Sequence, residues 1–120
     1  MDLIIGGAFQ GKLDYAREHF KLTDDDIYIC AEDAAPDLSR RCLAHFELDV
    51  RRQLRESGHF TMPAFRDDAV IIMDDIFCGV VPIDTEIRLR REECGRVMTA
   101  ISRGAETVTR IFCGLPLQLK

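Results

Sequence analysis

Basic charge is scarce in this chain: 16 lysines and arginines stand against 21 aspartates and glutamates, for a net charge of −5. No basic excess exists to attract a nucleic-acid backbone or an anionic membrane surface, so neither is expected as a partner and any phosphate recognition must be local. Long apolar runs are absent too. No stretch reaches transmembrane length, and no basic segment leads into a hydrophobic one at the N-terminus, which makes the expected location cytoplasmic. Paired cysteines are missing: Cys30, Cys42, Cys78, Cys94 and Cys113 are odd in number and widely spaced, without a CxxC or a histidine at metal spacing. They are expected to be reduced core residues. There is no repeat, low-complexity tract or linker, and 120 residues with 47% hydrophobic content suit a single α/β domain over 1–120.

What is present is concentrated at the start. An apolar run, Leu3-Ile4-Ile5, leads into Gly6-Gly7-Ala8-Phe9-Gln10-Gly11-Lys12-Leu13. Gly6, Gly11 and Lys12 fit a phosphate-binding loop, in which glycines let backbone amides curl around a phosphate, the next helix adds its positive end, and the lysine adds a point charge. Leu13 stands where a serine or threonine would hold magnesium, so phosphate binding is expected while the metal is left unknown. The plain alternative is a glycine-rich turn between a strand and a helix, with Leu13 serving packing.

Further along, Leu13, Ala16 and Phe20 give a helix over about 12–20 an inner face. Thr23 to Asp26 reads as a solvated turn, and 27–31 as a second buried strand. A long helix is expected over about 37–57, ended by Gly58, with Leu43, Val50 and Leu54 inward and Arg41, His45 and Arg52 on the opposite side. His45 would then be a surface histidine or, kept neutral by the arginines, a nucleophile toward phosphorus. A strand over 69–75 ends in Asp74 and Asp75, which read as either a magnesium-orienting tip or a strand leaving the core. A helix over about 84–103 and a strand over 108–113 complete four strands and three helices, the order of a parallel sheet covered on both faces.

Together these stretches resemble the adenosylcobinamide kinase and adenosylcobinamide-phosphate guanylyltransferase family of cobalamin biosynthesis. Gly6-Gly7-Ala8 with Gly11-Lys12 is similar to the family's GGxRSGKS loop, and the Arg41 to His45 spacing to the helix bearing its guanylylated histidine. Asp74 to Pro82 is similar to NEVGxGIVP, with Arg88, Arg91, Glu92 and Gly95 in register on the next helix, and Gly114-Leu115-Pro116-Leu117 with Leu119-Lys120 to the closing GLPLxLK. The resemblance implies a P-loop NTPase-like three-layer α/β/α sandwich with a mostly parallel sheet, often a homo-oligomer. It also implies phosphorylation of a corrinoid side-chain alcohol from GTP or ATP and transfer of GMP through a histidine. Carried over by position, Lys12 and the amides of Gly6 to Gly11 hold nucleotide phosphates, His45 is the nucleophile, and Asp74 and Asp75 lie near substrate or metal.

The chain departs from that pattern at Phe9, Gln10, Leu13 and Phe77, at Asp74 and Asp75 in place of Asn and Glu, and by the short spacing between the expected His45 helix and the Asp74 strand. That spacing predicts a lost strand-helix unit and a narrow sheet, with the acidic pair standing in for the lost carboxylate. The competing expectations are a non-catalytic nucleotide- or corrinoid-binding relative, as sensor or assembly subunit, and a transferase acting on another small alcohol.

Overall fold

A computed structural model describes residues 1–74 and 85–120, with 85–91 and 94 by backbone alone. It is an α/β fold whose sheet has six strands among the described residues, all parallel except the last. The strands are β1 (Asp2–Gly6), β2 (Ile27–Ile29), β3 (Cys42–Ala44), β4 (Val70–Asp74), β5 (Thr107–Phe112) and β6 (Leu115–Gln118). The helices are α1 (Lys12–His19), α2 (Phe46–Ser57) and α3 (Thr85–Gly104). Strand order is β2-β3-β4-β1-β5-β6.

β1 lies in the middle, parallel to β4 on one side and β5 on the other. Its unbroken apolar run follows from that position, since alternate side chains reach opposite faces and both are covered. Leu3 packs into a cluster with Phe46 and Val50 of α2 and Val97 and Ile101 of α3, whereas Ile4 packs with Ala16 of α1. β4 divides likewise, Ile71 and Met73 facing α2 and α3 while Val70 and Ile72 face the α1 side. The neighbours β1 and β4 thus lead to helices on opposite faces, which opens a crevice at their C-terminal ends, where ligands of open α/β sheets bind.

Two expectations are overturned. The segment 37–57 is helical only from Phe46 onward. Cys42, Leu43 and Ala44 are all buried, as a strand covered on both faces requires, and His45 adopts left-handed dihedrals (φ 55°, ψ 43°) that separate strand from helix. Leu43, Val50 and Leu54 do share one cluster, but Leu43 reaches it from the sheet. The sheet, accordingly, has not lost a strand and helix before Asp74. β3 and α2 supply them, and the reduced connection is instead 30–41, which links β2 to β3 with no helix and a single bridge between Ala31 and Ala34.

β6 was also unexpected. Cys113 and Gly114 both have positive φ (50° and 75°), the conformation two-residue hairpin loops favour, and they turn the chain back antiparallel to β5. Cys113 is therefore exposed rather than in the core. Cys30 and Cys42 are buried as expected, and burial pushes both thiols up to about 12. Cys78 and the Cys94 side chain lie outside the described residues. No helix among the described residues is long and apolar enough to cross a membrane.

Candidate functional site

The crevice between β1 and β4 continues into a cleft of about 450 Å³, lined by residues 8–14 together with Ala44, His45, Ile72 and Asp74. Three strand ends meet there. β1 contributes the glycine loop, β4 contributes Asp74 in register with Gly6, and β3 contributes His45.

The loop takes its shape from close approach and left-handed backbone. A Cβ on Gly6 would stand 2.5 Å from the Ile111 carbonyl oxygen of β5, so only glycine fits beside that strand. Phe9 (φ 60°) and Gly11 (φ 88°) turn the chain, and Gly11 opens α1 by accepting a hydrogen bond from the Tyr15 amide. Gln10 anchors the loop to the β5–β6 turn. Its Oε1 accepts the Cys113 amide at 2.6 Å and its carbonyl accepts the Gly114 amide at 2.9 Å. Among the described residues no acceptor takes the backbone amides of residues 8–13. Those donors and the N-terminal end of α1 favour negative charge in the cleft.

Lys12 is buried, and its ammonium donates to the Gly7 carbonyl oxygen at 2.6 Å and pairs with Asp74 Oδ1 at 2.7 Å. A positive charge is thus held inside the loop. Leu13 packs against the Ile4 cluster and offers no lone pair, so a magnesium ion held by a hydroxyl at this position does not fit the residues present.

His45 does not lie among arginines. Arg41 donates to the carbonyl oxygens of Phe20 and Asp68, and Arg52 is held by Asp49 and Glu56 on α2. Carboxylates surround the imidazole instead. Nδ1 lies 3.2 Å from Glu47 Oε1 and 3.9 Å from Asp74 Oδ2, with the ring about half exposed toward the cleft. An imidazole carrying its proton on Nδ1 alone donates it to Glu47 Oε1 and has its lone pair on Nε2.

Glu47 is the residue that sequence reasoning missed. It is 3% exposed, and its Oε1 also accepts the Asp74 amide at 3.2 Å. Its Oε2 has no hydrogen-bond partner among the described residues. Burial pushes this carboxyl above its ordinary range, the Asp74 carboxylate adds to the shift, and the Asp74 amide and His45 oppose it. The signal available was the pattern of three apolar residues, then His45-Phe46-Glu47. It becomes legible once 42–44 is a strand rather than a helical turn.

Of the expected residues, Ala8 to Lys12, His45 and Asp74 line one cleft, Gly6 and Gly7 stand outside its lining although the Gly7 carbonyl meets Lys12, and Asp75 lies outside the described residues. No protein-family model and no curated protein matches this chain.

Proposed function

We propose that the chain is a nucleotide-binding transferase with a P-loop NTPase-like domain, akin to the cobinamide kinase and guanylyltransferase family. In this reading GTP or ATP binds by its phosphates in the cleft, and the γ-phosphoryl group passes to a side-chain alcohol of a corrinoid. The observation that carries the reading is Lys12: a buried ammonium at the mouth of a helix, inside a glycine loop whose amides 8–13 have no acceptor among the described residues, at the crevice between β1 and β4.

The chemistry asks little covalent work of the protein. The alcohol oxygen forms a bond to the γ-phosphorus as the bond to the bridging oxygen breaks, the nucleoside diphosphate leaves, and the alcohol proton is released to water. Lys12 turns from Asp74 and the Gly7 carbonyl to the phosphate oxygens, where charge develops. The corrinoid acceptor comes from the family resemblance of the loop at 6–12, the 41–45 and 74–95 stretches and residues 114–120 taken together. Homo-oligomerisation belongs to the same reading, supported by exposed Phe112, Leu115, Leu117 and Leu119 at the β5–β6 edge of the sheet.

A second reading is guanylyl transfer through His45. It is favoured by the Glu47 contact at Nδ1 of a histidine that lines the cleft, since an imidazole bonded through Nδ1–H keeps its Nε2 lone pair for attack. Calorimetric titration with GTP, ATP and GDP tests nucleotide binding, and mass spectrometry after incubation with GTP tests for a GMP adduct. Binding with turnover of a corrinoid alcohol supports the kinase. An adduct that disappears in His45→Ala supports the second reading. Binding without either leaves a sensor, and no binding overturns the proposal.

A further inference from the structure

We propose that His45, Glu47 and Asp74 form a binding site for a first-row divalent transition-metal ion, using Nδ1 of the imidazole and one oxygen from each carboxylate. The candidate ligand atoms all lie within 4.8 Å of one another, and the two separations from Nδ1 are 3.2 Å and 3.9 Å. Metal–ligand bonds of about 2.0–2.2 Å at tetrahedral or octahedral angles place neighbouring ligands roughly 3.0–3.4 Å apart, so small side-chain rotations close the set. The three residues sit at the tip of β3, in the first turn of α2 and at the end of β4, elements fixed by the core around them.

Glu47 is the independent sign of a ligand. A carboxylate this deeply buried carries a desolvation penalty that the Asp74 amide and His45 offset only at Oε1, while Oε2 is left unpartnered among the described residues. A cation held between Nδ1 and Oε1 places a positive charge against that same carboxylate. An imidazole with two carboxylates suits zinc or manganese, whereas magnesium and calcium prefer oxygen ligands throughout. Lys12 neutralises only part of the site, because its ammonium engages Asp74 Oδ1 and leaves Oδ2 toward His45. His45 and Asp74 also line the cleft, which gives the site a route to solvent. Cation binding thus resides on the strand tips, with no contribution from Leu13.

This inference is independent of nucleotide binding and is tested without nucleotide. It also competes with the histidine-adduct reading, since a metal on Nδ1 leaves the proton on Nε2. Titration of the purified chain with Mn²⁺, followed by electron paramagnetic resonance, is expected to give one bound ion per chain with nitrogen modulation from a coordinated imidazole. Zn²⁺ should displace it and a large excess of Mg²⁺ should not. His45→Ala should remove the nitrogen signal and weaken binding by about tenfold or more, and Glu47→Gln should weaken it similarly. Lys12→Ala, which removes a competing cation, should bind Mn²⁺ more tightly, an outcome that unfolding cannot produce. Absence of stoichiometric Mn²⁺ binding, a nitrogen signal that survives in His45→Ala, or no tightening in Lys12→Ala overturns the proposal.

Discussion

Lys12 and Asp74 form an ion pair of 2.7 Å across the crevice between β1 and β4, and the same ammonium holds the Gly7 carbonyl oxygen at 2.6 Å. An entering phosphate must break that pair. Lys12→Ala is expected to weaken nucleotide binding by about 1.5–3 kcal/mol, roughly ten- to a hundredfold, as for a charge-assisted contact. Asp74→Asn should act in the opposite sense, because it frees the ammonium and removes a repelling carboxylate. Calorimetry on the three proteins checks both. Equal affinities would place the nucleotide elsewhere.

Glu47 should make stability depend on pH. Its folded-state pKa is raised above the ordinary value of 4.5, first by burial and then by Asp74. The folded state therefore binds the proton more strongly than the unfolded chain. That contribution is fully present below about 4.5 and is lost as pH rises through the raised value. Glu47→Gln should flatten this dependence and be the more stable protein at neutral pH. Urea unfolding across pH, in the presence of a chelator, tests the expectation, and parallel profiles for the two proteins would contradict it.

Phe46 should dominate the core on the α2 side. It is fully buried, with edge-on contacts to Phe60 at 6.2 Å and Phe65 at 5.4 Å between ring centroids. Phe46→Ala is expected to cost about 3–5 kcal/mol. Phe9→Ala, at a fully exposed position of the loop, should change stability by less than about 0.5 kcal/mol. Urea titrations of the pair make the comparison.

The two adjacent glycines should differ. Gly6→Ala forces a Cβ to 2.5 Å from a β5 carbonyl oxygen and should destabilise by about 1–3 kcal/mol, because backbone must move. A Cβ on Gly7 meets only the Gln10 side chain at 3.6 Å, so Gly7→Ala should be tolerated. Thermal melts showing equal losses would mean that β5 gives way more easily than its position in the sheet implies.

β1 and β4 were legible because each contains an unbroken apolar run at the centre of the sheet. Leu3-Ile4-Ile5 and Val70 to Met73 read as strands since their two-sided burial demands apolar residues without alternation. β3 hid because three buried residues are too few to show a period, and Leu43 happens to stand at helical spacing from Val50 and Leu54. Pro116 and the lack of burial along 115–118 concealed β6, an edge strand that packs little of its own surface. The loop, Lys12 and Asp74 could be placed in advance because strand ends collect on one edge of a parallel sheet. The environment of His45 could not, since it depends on whether 42–44 is helix or strand. The wrong choice surrounded the imidazole with arginines where the folded chain places carboxylates.

The bond from the Cys113 amide to the Gln10 side chain joins residues 103 positions apart, and the Gly114 amide bonds the Gln10 carbonyl beside it. During synthesis at roughly 5–20 residues per second, the loop waits on the order of 5–20 s between its own emergence and that of its anchor. Until then Gln10 has neither amide to accept from, and Gly6 has no β5 carbonyl pressed against it. The cleft is therefore completed late: residues 6–13 acquire their final curvature only after the turn at 113–114 has been synthesised.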